Sequence, residues 1–170
     1  MDKATLDRIQ ALHPSVRAEM STIVNECNKA LTGRSQVRIS QGLRTFAEQD
    51  SLYAKGRTVK GDSGFSKKKP LGSTVTNAKG NQSVHCYGFA VDIVLIIDGK
   101  VASWDTHKDW DEDGIADWDE CVKIFAKYGW SWGGSWSTFK DMPHFDKIGF
   151  NNWRILSAKK RDGNNYVIIK

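Results

Sequence analysis

Residues 83–97 read Ser-Val-His-Cys-Tyr-Gly-Phe-Ala-Val-Asp-Ile-Val-Leu-Ile-Ile, and this stretch decides the fold. Its second part, 89–97, is apolar and rich in β-branched residues, which is typical of a buried strand. Asp98-Gly99 is a strong turn signal, and residues 100–102 then resume an extended pattern. The sequence therefore predicts a β-hairpin with Asp92 inside its first strand.

Asp92 is unusual in an apolar strand because a buried carboxylate costs free energy unless it has a partner. His85 lies a few positions earlier, and a second histidine follows much later in Asp141-Met-Pro-His144. Two imidazoles and a carboxylate form a ligand set that catalytic Zn²⁺ accepts while a fourth position stays open. Two alternatives stay open as well: an aspartate buried with ordinary hydrogen bonds, and histidines that serve only the core or the surface.

Periodicity predicts helices on both sides of this hairpin. Apolar residues recur at helical spacing over 16–31, with Pro14 suited to a first turn and Gly33 to a stop. Thr45-Phe-Ala-Glu48 has the form of a capping box that opens a second helix, and residues 118–126 predict a third. We therefore expect an α+β fold, in which a small antiparallel sheet is flanked by helices.

Shorter segments complete this reading. Residues 37–40 predict a short strand, and Pro143-His144-Phe145 predicts the entry to another. The aromatic and glycine-rich segment 130–136 indicates close backbone packing beside a cavity, or a core turn with large side chains. A basic C-terminal extension from about 151 to 170 ends in a strand-like run, 166–169.

Length and composition exclude several classes of protein. The chain has 170 residues, of which 39% are hydrophobic and 26% charged, so we expect one domain over 1–170 that buries a core. No stretch approaches the roughly 18 apolar residues of a membrane span, and residues 1–20 lack the apolar segment of a secretory signal. We expect synthesis in the cytoplasm without a signal peptide, no membrane insertion, and a monomer.

Three cysteines at unrelated spacings, Cys27, Cys86 and Cys121, are expected to be reduced and mostly buried.

Charge is strongly segregated along the chain. The segment 55–79 holds seven bases against Asp62 alone, whereas 105–120 holds eight of the 20 acidic residues against Lys108 alone. This distribution suggests a cation site in one place and an anionic partner facing another, unless the basic segment is only a solvated loop. Charge alone allows three classes of partner: a nucleic acid, an anionic surface or a polyacidic polymer. We expect no nucleic acid, because no recognisable nucleic-acid-binding module is present.

The acidic window contains a twelve-residue pattern, Asp109-Trp-Asp-Glu-Asp-Gly-Ile-Ala-Asp-Trp-Asp-Glu120, that matches an EF-hand calcium loop. The Ca²⁺ ligands expected from it are the side chains of Asp109, Asp111, Asp113, Asp117 and Glu120 and the backbone carbonyl of Ile115. Gly114 occupies the position of the sharp turn. No second loop and no clear entering helix accompany it, so we expect a lone calcium loop, with an acidic solvated loop as the alternative.

The pattern S-x-H-x-x-G-x-A-x-D with a later acid-x-x-His resembles the zinc D-Ala-D-Ala carboxypeptidase family, peptidase family M15, which includes VanY-like and VanX-like enzymes. Three further segments, 41–49, 75–80 and 132–144, resemble its phage endolysin-type L-alanyl-D-glutamate peptidase branch. Asp141 and Pro143 depart from the Glu and Trp of the VanY-like and VanX-like branches, which favours the endolysin branch. The resemblance covers most of 5–148 and implies a Hedgehog/D,D-peptidase-like zinc peptidase fold, here with an inserted EF-hand-like loop.

The resemblance also implies roles for individual residues. His85, Asp92 and His144 would hold Zn²⁺, and Asp141 would act beside the metal as general base or acid. Arg44 matches an arginine that faces the substrate carbonyl and stabilises its developing negative charge. Two supporting residues are further expectations: Ser83 would hydrogen-bond a ligand or backbone group, and Gln49 would support Arg44.

We therefore expect a zinc metallopeptidase that hydrolyses peptidoglycan stem peptides, most simply at the L-Ala–D-Glu bond, with Ca²⁺ bound for structure or regulation. A D-Ala-D-Ala carboxypeptidase and a non-catalytic cell-wall-binding metal module are the alternatives. The basic segment would meet anionic envelope polymers. The enzyme would act on the cell wall or in the periplasm, after release by a holin-like route if it comes from a phage.

Overall fold

The computed structural model describes residues 1–169, and a five-stranded antiparallel sheet forms its centre. The strands are β1 (Ser35–Gln41), β2 (Ala90–Ile97), β3 (Val101–Ser103), β4 (Trp130–Trp132) and β5 (His144–Lys147). β1 pairs with one edge of β2, while β5 and β3 share its other edge and β4 pairs with β5. The predicted small antiparallel sheet and its β2–β3 hairpin are confirmed.

Helices flank this sheet. They are α1 (Lys3–Ala11), α2 (Arg17–Ala30), α3 (Phe46–Ala54), α4 (Asp117–Lys127) and α5 (Trp153–Ser157), with short 3-10 helices at Pro14–Val16, Val84–Tyr87 and Gly133–Ser135. The three predicted helices correspond to α2, α3 and α4, although Pro14 opens a 3-10 turn rather than α2 itself. Within residues 1–169, no helix combines the length and apolar character needed to cross a bilayer.

The core lies where α1, α2 and α4 pack on the sheet. Helix α2 buries Met20, Ile23, Val24 and Cys27, and α4 buries Trp118, Cys121 and Phe125. Burying each large apolar side chain contributes roughly 1.5–3 kcal/mol. Every residue of β2 except Asp92 is buried. The three cysteines are buried and free, as the sequence predicts.

The long segment 55–82 contains turns and isolated bridges, and it returns to α3 at Gly80. The Gly80 backbone N–H donates to Asp50 at 2.7 Å, and a Cβ on Gly80 would lie 2.6 Å from that carboxylate. The C-terminal tail differs from its prediction, because 166–169 forms no strand. Val167 makes only an isolated bridge to Arg161 and packs into the core beside His13.

Candidate active site

A cavity of about 430 Å³ lies at the end of the sheet where β2 and β5 meet. One wall is the end of the long loop, 75–78, and the other includes Trp136 and Phe139. Six of the residues singled out in the sequence line it: Arg44, Ser83, His85, Asp92, Asp141 and His144. The fold thus brings into one place residues that lie up to 100 positions apart in the chain, Arg44 and His144.

Three of these residues direct ligand atoms at a common point. His85 comes from a 3-10 helix, whereas Asp92 and His144 are direct cross-strand partners on β2 and β5. His85 Nε2 lies 3.2 Å from Asp92 Oδ1 and 3.2 Å from His144 Nδ1, and His144 Nδ1 lies 3.3 Å from the same Asp92 oxygen. These atoms form a group with the donor types and spacing that could hold a metal ion.

The chemistry of the group fits a divalent cation. Two ring nitrogens face each other beside one carboxylate oxygen, and a cation among them would accept a lone pair from each. Burial opposes the charge on Asp92, but the two imidazoles outweigh it and lower the pKa of Asp92 far below its ordinary value. Burial also opposes charge on His144, yet Asp146 and Asp92 raise its pKa to about 9. Two imidazole nitrogens and one carboxylate oxygen are donor types that Zn²⁺ accepts, and their spacing suits one ion, so the site fits Zn²⁺.

The orientation of His85 follows from its local backbone. Its Nδ1 lies 2.8 Å from the carbonyl oxygen of Gly42, so that Nε2 faces the ligand group. Gly88 ends the 3-10 helix with φ +75°, and a Cβ there would lie 2.4 Å from the backbone nitrogen of His13. Both the positive φ of Gly88 and the close approach of the His13 backbone therefore require glycine at position 88.

Asp141 is held by the glycine-rich segment. Its backbone N–H donates to the carbonyl oxygen of Gly133 at 3.2 Å, and its own carbonyl accepts from the His144 N–H at 3.2 Å. The Trp132 indole donates to the Met142 carbonyl at 2.7 Å, which anchors the same turn. Burial and the neighbouring Asp92 raise the pKa of Asp141 above its ordinary value. The predicted close packing of 130–136 beside a cavity is thus observed.

Arg44 and Gln49 form a buried pair behind Asp92. Arg44 donates to Gln49 Oε1 at 2.6 Å and lies 3.4 Å from Asp92 Oδ2. Gln49 is completely buried, and its amide donates to the Ala78 carbonyl at 2.8 Å. Ser83 precedes the 3-10 helix and lines the cavity, but its side chain makes no capping hydrogen bond. The structure therefore joins Gln49 to Arg44, whereas it gives Ser83 no such contact.

The acidic loop packs against the start of β1 and leads into α4. Two overlapping groups of carboxylates form in it, Asp109 with Asp111 and Asp117, and Asp111 with Asp113 and Glu120. Asp109 accepts from the backbone N–H groups of Glu112 and Gly114, and Gly114 has φ +92°. Glu120 Oε2 is buried without a hydrogen-bond partner in residues 1–169, and burial with the surrounding aspartates raises the pKa of Glu120 to about 7.

Sequence reasoning missed two residues at the ligand group. The Trp136 ring centroid lies 5.2 Å from that of His144 and forms part of the cavity wall. Asp146 is buried two residues beyond His144, with Oδ2 3.6 Å from His144 Nε2. The dense Trp-Gly segment hinted at Trp136, but Asp146 resembles any other acidic residue at a strand end.

Comparison with known proteins decides the family. A profile described as D-alanyl-D-alanine carboxypeptidase matches residues 76–147. The peptidoglycan L-alanyl-D-glutamate endopeptidase CwlK of Bacillus subtilis is 38% identical over 138 residues, which cover 81% of this chain and 74% of CwlK. The chain belongs to peptidase family M15. The crystal structure of the L-Ala D-Glu endopeptidase ChiX of Serratia marcescens covers 93% of each chain with a TM-score of 0.54 and 19% identity, so this M15 chain shares its fold.

Proposed function

We propose that this M15 chain is a zinc endopeptidase that hydrolyses the L-Ala–D-Glu bond of peptidoglycan stem peptides, on a Hedgehog/D,D-peptidase-like fold. The convergence of His85 Nε2, Asp92 Oδ1 and His144 Nδ1 in a cavity beside Asp141 carries the proposal. The 38% identity to CwlK supports the choice of bond. When bound by these three residues, Zn²⁺ supplies a Lewis acid and lowers the pKa of water from about 15.7 toward 7.

Asp141 is the residue that moves the proton. It takes a proton from the attacking water and delivers it to the departing amine of D-Glu. Arg44, held in place by Gln49, donates hydrogen bonds to the carbonyl oxygen as negative charge develops there.

The test is digestion of intact peptidoglycan by the zinc-loaded protein, with the released termini identified by mass spectrometry. The proposal expects new D-Glu amino termini from the wild type and none from Asp141→Ala. Lys140→Ala, an exposed neighbour, is the matched control and should cleave like the wild type. Wall binding without cleavage by the wild type would instead make the protein a binding module.

A D-Ala-D-Ala carboxypeptidase is the second candidate, because the family profile that matches 76–147 bears that description. Such an enzyme releases free D-Ala from a stem peptide that ends in a carboxylate. The same digest separates the two candidates. Free D-Ala with no new D-Glu terminus would move this chain to the carboxypeptidase branch.

We also propose that the loop 109–120 binds Ca²⁺ through the ligands that the EF-hand pattern predicts. The support is the two carboxylate groups and the buried, unpaired oxygen of Glu120. The loop leads into α4 and on to the segment that holds Asp141, so Ca²⁺ would order the catalytic half of the chain. Activity should then be low at cytosolic calcium and higher outside the inner membrane. Equal turnover by the wild type and Asp109→Ala/Glu120→Ala across a calcium titration would contradict this regulation.

The basic loop supports a further partner, the anionic polymers of the envelope. Lys60, Lys67, Lys68, Lys69 and Lys79 are all exposed. Replacing Lys67, Lys68 and Lys69 by Ser should weaken salt-sensitive binding to phosphate-rich walls, while Lys100→Ser on the β2–β3 turn should not. Equal binding of both variants to walls would contradict it. This location on the wall is where a stem-peptide endopeptidase acts.

A further inference from the structure

We infer that Asp146 is a positioning residue that holds the His144 ring with Nδ1 toward the ligand group and thereby sets the metal affinity of the site. This inference rests on the proposed zinc function and concerns a residue outside the ligand group. His144 is 7% exposed and Asp146 6%, so water competes little for either side chain. The contact between them, His144 Nε2 to Asp146 Oδ2, is therefore placed to hold the His144 ring in one orientation.

The two ligand histidines use opposite ring nitrogens. His85 turns Nε2 to the ligand group because its Nδ1 faces the Gly42 carbonyl at 2.8 Å. His144 turns Nδ1 to the group, which leaves Nε2 facing Asp146 Oδ2 at 3.6 Å. An imidazole binds a cation only through an unprotonated nitrogen, so Nε2 must carry the proton of His144. A carboxylate facing Nε2 favours that tautomer.

Asp146 cannot easily turn away from this contact. It sits in β5 between Ala90 of β2 and Ser131 of β4, with hydrogen-bonded strands on both sides. The Ser131 hydroxyl donates to Oδ1 of Asp146, so that Oδ2 is the oxygen left for His144. The neighbouring strand thus holds the carboxylate, and the carboxylate holds the imidazole.

Substitution by asparagine gives a test that separates this role from simple packing. In Asp146→Asn the amide oxygen accepts from Ser131, and the amide N–H then faces His144 Nε2. This arrangement draws the proton of His144 to Nδ1, where it blocks the metal. Asp146→Ala removes the partner without imposing the wrong tautomer. A positioning role therefore expects Asn to harm metal binding at least as much as Ala, although Asn conserves volume.

The experiment measures the Zn²⁺ dissociation constant of each purified variant by competition with a chelator, and the tautomer of His144 by ¹⁵N NMR. We expect a dissociation constant about 10–100-fold higher for Asp146→Asn, with more proton on Nδ1, and a smaller rise for Ser131→Ala. Asp98→Asn, at the exposed β2–β3 turn, should bind like the wild type. Wild-type affinity in Asp146→Asn, or a larger loss in Asp146→Ala than in Asp146→Asn, would overturn the inference. If the wild type binds Zn²⁺ but cleaves no wall, the proposed function fails while this readout still stands.

Discussion

Gly133 is the residue through which the tryptophan- and glycine-rich segment controls Asp141. A Cβ on Gly133 would lie 2.5 Å from the Asp141 carbonyl oxygen and 3.1 Å from His144 Cβ. The Gly133→Ala substitution must therefore displace the turn that carries both residues. Since a misplacement on the order of 1 Å costs roughly 100-fold in rate, we expect kcat/KM to fall by about tenfold or more.

Gly163→Ala is the matched control, because a Cβ there meets no atom within 4 Å. It should retain the wild-type kcat/KM on a stem-peptide substrate. The melting temperature of both variants distinguishes displacement of the site from unfolding. Wild-type activity in Gly133→Ala would show that the Asp141 turn tolerates the extra atom, contrary to this expectation.

At this same scale, the sequence reveals residues that belong to a pattern and conceals those that act through another side chain. His85, Asp92 and His144 stand out because histidine and aspartate are conspicuous beside an apolar strand. Asp146 does not stand out in the sequence, because its role depends on the orientation of the His144 ring. That orientation is a tertiary property, fixed by the pairing of β5 with β2 and β4.

Among the elements, α3 begins directly after the segment that carries Arg44, with Thr45 as its N-cap. Thr45 caps this helix by accepting from the Glu48 N–H, and the Glu48 carboxylate accepts from the Thr45 N–H at 2.7 Å. Thr45→Ala should lower the free energy of unfolding by about 0.5–2 kcal/mol, measured by urea denaturation. Ser51→Ala, within the same helix, should change it by less than about 0.5 kcal/mol. Equal losses in the two variants would argue against the capping box.

Elements with strong local signals could be predicted from the sequence, and elements made by pairing could not. The periodicity of α2, the capping box of α3 and the turn at Asp98-Gly99 are local properties. β4 is only three residues long, and it is a strand because it pairs with β5. The tail 166–169 has strand-forming residues, but it makes only the isolated bridge between Val167 and Arg161, and the Tyr166 carbonyl accepts from the Asp162 N–H of the same tail.

Across the whole molecule, the tail returns to the N-terminal helices. Val167 is 2% exposed, and its carbonyl oxygen lies 2.9 Å from His13 Nε2. Val167→Ala should lower the free energy of unfolding by about 1–3 kcal/mol because it leaves a cavity in the core. Ile168→Ala, at a neighbouring position that is 41% exposed, should cost much less. Urea denaturation of the pair measures the difference, and equal losses would mean that the tail does not belong to the core.

Metal removal should also be visible in the stability of the whole chain. A ligand that binds only the folded state stabilises it by about 2.7 kcal/mol at 100 times its dissociation constant. A chelator should therefore lower the melting temperature of the zinc-loaded protein, and added Zn²⁺ should restore it. Asp92→Asn should respond weakly to both treatments, measured by calorimetry. An identical response of Asp92→Asn and the wild type would place the stabilising metal elsewhere.

Asp92 and His144 are direct cross-strand partners on β2 and β5, so the ligand set forms only when these strands pair in this register. A slip of one residue would send the His144 side chain to the opposite face of the sheet. A misaligned chain would then be catalytically silent rather than an enzyme of altered specificity. Zn²⁺ would thus bind only to chains whose strands are correctly paired, and only these chains would carry the ion needed for catalysis.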